Sequence, residues 1–92
     1  MTEYEFGRFV TSKAGHDKCK LFVIIKADSE YVYLVDGKIR TLARPKKKKK
    51  KHVQIINAVD EALIIKKESN MVVRDEDIKR AIKLYIAKGQ SF

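Results

Sequence analysis

Six consecutive lysines, Lys46 to Lys51, stand between Pro45 and His52. Neighbouring ammonium groups repel one another and none can enter a hydrophobic core unpaired, so any fold must leave this stretch solvated or match it to a polyanion. Residues 1–45 carry eight basic and six acidic side chains and residues 52–92 carry seven and six, so the tract supplies six of the nine net positive charges. A stretch kept only for solubility would intersperse both signs. The tract therefore reads as a locally unstructured loop between strands, and its charge as a surface for phosphates.

The 92 residues suffice for one small domain, which buries roughly 60 to 65% of its unfolded surface. An apolar fraction of 45% argues against disorder along the whole length. Cys19 is the sole cysteine, which excludes an intramolecular disulfide and points to a reducing, cytoplasmic setting. The opening Met1-Thr2-Glu3-Tyr4-Glu5 has no apolar stretch behind it, so no secretory signal is expected. The longest apolar run, Leu21 to Ile25, is too short to span a bilayer.

Phe6 to Thr11 reads as a first strand, with Gly7 as a place for a bulge or a close backbone approach. Lys13 to Lys20 reads as a polar loop in which Gly15 is free to take positive φ. Leu21 to Ala27 is apolar on both faces, as a central strand should be. Asp36-Gly37 predicts a two-residue hairpin turn between Tyr31–Val35 and Lys38–Leu42. That turn sets Val35 opposite Lys38, Leu34 opposite Ile39, Tyr33 opposite Arg40 and Val32 opposite Thr41. Val32, Leu34 and Ile39 would then face a core, and Tyr31, Tyr33, Lys38 and Arg40 would share the other face. Val53 to Ile56 resumes as a fifth strand, ending near Asn57.

Ala58 to Glu68 shifts toward helix formers. Ile78, Ala81, Ile82, Tyr85 and Ile86 form an apolar stripe at helical spacing, with Asp75, Glu76 and Asp77 in the first turn and Gly89 placed to end the helix. Its cap is either Asp75, by side chain, or Arg74, which would let Val73 and Ile78 form a hydrophobic staple. The expected fold is mainly β with α: a small SH3-like barrel of about five strands over residues 1–57, including the tract as a loop. A helical extension over residues 58–92 packs on it in a single domain.

The residue types of catalysis and metal binding are sparse. His16, Cys19 and His52 lack the paired cysteines and fourth ligand of a structural zinc site. Ser12, His16 and Asp17 include the members of a hydrolase triad, but adjacent loop residues have nothing to orient them against one another. No glycine-rich phosphate cradle is present. No enzyme, cofactor or metal is expected.

Three stretches carry a family likeness: Gly7-Arg8-Phe9-Val10, then Ala14-Gly15-His16-Asp17-Lys18, then Lys20-Leu21-Phe22-Val23-Ile24. Together they resemble a KOW motif, a strand-loop-strand RNA-binding element. The likeness continues through Val32 to Gly37 and Pro45 to His52. Over its first two thirds the chain closely resembles small bacterial KOW-domain RNA-binding proteins related to an archaeal and eukaryotic-type large-subunit ribosomal protein. The resemblance implies an SH3-like barrel whose loops touch ribosomal RNA. The family commonly has a glycine where this chain has Cys19, so a left-handed backbone there would be strained.

The residues alone also point to phosphate binding. Arg8, Lys13, His16, Lys18 and Lys20 lie on or beside the first loop, and Lys38, Arg40 and Arg44 lie on the expected hairpin. With Lys46, Lys47, Lys48, Lys49, Lys50, Lys51 and His52 they would pool into one positive surface if the loops share an edge. Tyr31 and Tyr33 are candidates for stacking unpaired bases. The reading is a cytoplasmic RNA-binding module, monomeric when free, that docks on structured ribosomal RNA or the large ribosomal subunit. Sequence specificity should be low, because lysines outnumber arginines sixteen to five and lysine lacks the planar fork that reads guanine. The alternative is a protein-interaction adaptor whose tract meets an acidic protein. Membrane binding ranks last, since no lipidation signal or insertable apolar loop adjoins the lysines.

Overall fold

The run Leu21 to Ile24 is buried at every residue, which places it in the middle of a sheet covered on both faces. The computed structural model describes residues 3–13 and 20–89; the loop holding Gly15, His16, Lys18 and Cys19 lies outside them, and with it the expectation of strain at Cys19. Strands β1 (Arg8–Ser12), β2 (Leu21–Ala27), β3 (Tyr31–Val35), β4 (Lys46–Lys49) and β5 (Val53–Val59) are followed by helices α1 (Glu61–Glu68) and α2 (Asp75–Ala87). They form one five-stranded sheet in the order β4-β3-β2-β1-β5, antiparallel at every junction.

The period-2 alternation of the strands divides the core in two. Val10, Phe22, Ile24, Val32, Leu34 and Val53 occupy one face. Phe9, Leu21, Val23 and Val35 occupy the other, where Leu63 of α1 and Ile78, Ala81 and Tyr85 of α2 cover them. The rings of Phe9 and Tyr85 stack at a centroid distance of 4.4 Å. The helices thus share a core with β1, β2 and β3.

Gly7 has φ +89°, its N–H donates to the Ile24 carbonyl and its carbonyl accepts from Asp60, and a Cβ there would lie 3.1 Å from Ile64 of α1. The close approach expected at Gly7 is present. A register shift also falls between Arg8 and Val10 in the β1–β5 ladder. Strand β5 runs on to Val59, past the expected end at Asn57.

The outermost strands are joined only by a single 3-10 turn, Lys50–His52. In a flat five-stranded sheet they would lie about 19 Å apart. Four Cα–Cα steps from Lys49 to Val53 reach at most about 14 Å. The sheet is therefore curled so that β4 and β5 approach at this end, although the ladder does not pair them.

The expected hairpin does not form. Residues 38–42 make no strand, and β3 pairs instead with the lysine tract: Tyr31 opposite Lys49, Val32 opposite Lys48, Tyr33 opposite Lys47 and Leu34 opposite Lys46. The cause lies in two carboxylates. Asp36 Oδ1 accepts from the backbone N–H of Lys38 (2.8 Å) and of Arg40 (2.9 Å), taking donors that a hairpin would have used. Asp75 Oδ1 accepts from the N–H of Leu42 at 2.8 Å, which ties the excursion to the start of α2. Ile39, expected in the core, is 74% exposed.

The tract is thus an ordered edge strand, not a loop. Extended backbone sends successive side chains to opposite faces, which separates neighbouring ammonium groups more than a compact turn would. Lysine also suits a half-covered position, because its methylene stem lies on apolar surface while the charge stays in water. Lys46 and Lys48 are accordingly half-buried, and Lys47 and Lys49 exposed.

Both helices start on carboxylates. Asp60 caps α1 by accepting from Leu63 N–H at 2.9 Å. Its C-terminus closes on Asn70 at φ +58°, with Met71 N–H donating to the Lys66 carbonyl and Asn70 N–H to that of Lys67. In α2 the capping position is Arg74, whose N–H donates to the Asp77 carboxylate at 2.9 Å, while Val73 and Ile78 share one apolar cluster as the staple requires. The Arg74 N–H and the Lys66 ammonium hold Asp77 below the usual carboxylate range. Asp75, the rival cap, serves Leu42 instead.

Gly37 and Gly89 both have positive φ, +79° and +73°, but a Cβ at Gly37 would lie 2.6 Å from the Asp75 carbonyl oxygen whereas one at Gly89 would meet nothing within 4 Å. Gly89→Ala should cost only the left-handed backbone term of about 1 kcal/mol. Gly37→Ala should cost about 3 kcal/mol, the sum of that term and an overlap with backbone. Urea denaturation of the two variants checks this, and equal losses would contradict the docking of the excursion on α2.

Candidate functional site

One lysine of the edge strand, Lys47, lies over aromatic rings. The antiparallel register puts Lys47 and Lys49 on the same face as Tyr33 and Tyr31. Lys47 Nζ lies 4.4 Å from the Tyr31 ring centroid and 6.0 Å from that of Tyr33. Lys26, directly opposite Tyr33 in the β2–β3 ladder, brings its Nζ to 5.5 Å from the same ring. Beyond the end of β4, Lys50 Nζ lies 4.6 Å from the Tyr4 ring, and Lys67 of α1 lies 4.5 Å from the Phe6 ring. Exposed contacts of this kind stabilise by only about 0.5 to 1 kcal/mol each, so the ammonium groups remain available to stronger partners.

A cleft of about 320 Å³ opens among these groups, lined by Tyr4, Phe6, Ile25, Lys26, Ala27, Asp28, Lys50 and Lys67. Asp28 is the acid of its wall. Its Oδ1 accepts from the N–H of Tyr31 at 2.7 Å and of Glu30 at 2.9 Å, building the turn between β2 and β3. Those two N–H donors, Tyr31 first, hold the carboxyl below its usual range, and the charges of Lys47 and Lys50 add to the effect. Glu30 also contributes its carbonyl to the Lys50 N–H at 2.9 Å, fixing where the 3-10 turn leaves the strand.

The sequence-derived candidates divide among three places. Lys13 is exposed and donates its N–H to the His52 carbonyl at 2.8 Å, so the base of the first loop and the end of the tract do share an edge. Lys20 is exposed across that same loop, whose His16 and Lys18 lie outside the described residues. Arg8 is engaged internally: its guanidinium pairs with Glu5 at 2.8 Å and donates to the Ile56 carbonyl at 3.1 Å, with its side chain 14% exposed. Lys38, Arg40 and Arg44 belong to the excursion, and Lys38 borders a separate cleft beside α2 with Lys79, Arg80, Lys83, Ile82 and Ile86. The aromatic and basic face expected from Tyr31, Tyr33, Lys38 and Arg40 is therefore corrected: the tyrosines stand beside Lys47, Lys49 and Lys26.

Four members of this surface were not legible as such in the sequence: Tyr4, Phe6, Lys26 and Lys67. Lys26 alone left a signal, since its place at the end of a strand next to a tight turn puts it opposite the following strand. Among the described residues there is no group of three or more metal-ligating side chains, and no helix is long and apolar enough to cross a membrane. No protein-family model matches the sequence, and no curated protein matches it.

Asp28 gives the site a pH dependence with a defined sign. A carboxylate with a lowered folded-state pKa contributes stability that is complete above its unfolded value and is lost as pH falls through the folded value. Asp28→Ala should therefore lower the melting temperature at pH 7, with the two proteins converging as pH drops below the ordinary carboxylate range. Thermal melts across a pH series read this out; a gap that stays constant into acid would show that the charge of Asp28 does not hold the turn.

Proposed function

We propose that this chain is a non-enzymatic, cytoplasmic RNA-binding protein that docks on structured ribosomal RNA or the large ribosomal subunit. In this reading the curled sheet, with its 3-10 turn between the last two strands, is an SH3-like barrel of the KOW type, and the helices brace it. The observation that carries the proposal is the lysine tract held as a strand in a protein of net charge +9, flanked by tyrosines and continued by Lys13 and His52. Ammonium groups ordered on a rigid sheet edge suit a phosphate backbone, which rewards many cationic contacts without demanding a base sequence. Edge-strand lysines also deter sheet-to-sheet aggregation, but that purpose needs fewer than six in succession.

A second reading, an adaptor for an acidic protein, draws on the cleft beside α2, where Ile82 and Ile86 lie among Lys38, Lys79, Arg80 and Lys83. Such a partner would survive RNase treatment of a pull-down, and an RNA-bridged one would not.

Replacing Lys46 to Lys51 with glutamine should reduce the slope of log affinity against log salt by up to about 4 to 5, since each neutralised phosphate contributes about 0.7 to 0.9. The loss of affinity should be nearly equal for unrelated RNA sequences. Anisotropy titrations over a salt series, with folding confirmed by circular dichroism, measure both. An unchanged slope would remove the tract from the interface.

A further inference from the structure

We propose that the cleft formed by Tyr4, Phe6, Lys26, Lys50 and Lys67 is a subsite for one unpaired nucleotide of the bound RNA. On binding, Lys50 and Lys67 leave the rings of Tyr4 and Phe6 for phosphate oxygens, and the bared ring faces receive the base. This rests on the RNA-binding reading given above and adds where, and in what form, a base is taken.

Three observations converge on it. The cleft, about 320 Å³, falls at the lower end of volumes that hold small organic ligands, and its wall combines two aromatic rings with three lysines against one carboxylate. That carboxylate, Asp28, already accepts two backbone N–H groups through Oδ1, so it serves the turn. Second, the occupants of the rings are exchangeable. An ammonium 4.5 or 4.6 Å from a half-buried ring is held weakly, whereas a base stacked on an aromatic side chain binds more strongly and a phosphate is the better partner for the displaced ammonium. The exchange therefore favours the nucleotide on both counts. Third, the cleft lies where the tract ends. Lys50 immediately follows the lysine strand, and Lys26 reaches from the cleft to Tyr33, so a backbone tracking the tract and the tyrosine face arrives at this opening.

The test uses the full chain with three probes: a single-stranded oligoribonucleotide, a fully paired RNA duplex, and inorganic polyphosphate, which carries the charge without bases. Tyr4→Leu and Phe6→Leu should each weaken binding of the single strand by roughly fivefold to a hundredfold. Polyphosphate and duplex binding should stay within about twofold. Lys67→Gln should weaken the single strand and polyphosphate together and lower the salt slope by about 0.7 to 0.9. Because a leucine variant can lose stability, the original protein gives an independent readout by NMR: the ε-methylene protons of Lys50 and Lys67, shifted upfield by the rings beneath them, should return toward their ordinary positions when the single strand binds. Unmoved lysine signals, or leucine variants that are folded and bind the single strand as tightly as the original, would overturn the subsite while leaving phosphate binding by the tract intact. Failure of the original protein to bind either RNA would overturn the RNA reading itself, and the subsite with it.

Discussion

Pairing between the tract and Tyr31 to Leu34 is the contact on which the rest of the architecture turns. It gives the central strands their outer neighbour and sets the face on which the tyrosines meet lysines. It also obliges the sheet to curl, because the same chain must reach the opposite edge within three residues. What permits it lies upstream. Asp36 and Asp75 hold residues 36–42 out of the ladder, so the edge of β3 stays open for lysines that intrinsic preference alone would not send to a strand.

Under the RNA-binding reading proposed above, the arrangement would reconcile two demands on the same residues. A sheet edge needs charge to avoid pairing with other sheets, and a polyanion-binding surface needs charge that is ordered and desolvated only lightly. Lysine meets both because its stem can cover apolar surface while its ammonium remains hydrated. The rings of Tyr4, Phe6, Tyr31 and Tyr33 serve as weak resting places for four such groups: two for Lys47 and Lys26, two for Lys50 and Lys67. Asp28 completes this surface by fixing the turn from which Tyr31 and Lys50 are positioned.

Much of the fold was legible wherever local pattern and tertiary context agree. The two-faced run Leu21 to Ile24, the stripe from Ile78 to Tyr85 and the special geometry of Gly7 all follow from periodicity and sterics, and the structure shows each. Asp36-Gly37 was misleading for a physical reason: its turn preference is real, but the carboxylate of Asp36 offers the next residues a competing set of hydrogen bonds, and the bond that ties the excursion to α2, from Leu42 N–H to Asp75, spans more than thirty residues. Six lysines read as a loop because propensity counts the charge and not the stem. For the candidate site, the tract, Lys13, His52 and the two tyrosines were readable from charge and alternation. Tyr4, Phe6 and Lys67 were not, since they come from the N-terminal segment and α1, and only packing brings them together.

Amide hydrogen exchange resolved residue by residue distinguishes an ordered edge strand at the lysine tract from a solvated loop. An edge strand bonds its partner through alternate residues. Alternating protection is therefore expected along Lys46 to Lys49, weaker than in β2, together with protection at Lys50, whose N–H is bonded to the Glu30 carbonyl. Exchange at free-peptide rates at every residue from Lys46 to Lys50, in a protein whose β2 amides are protected, would contradict the edge strand.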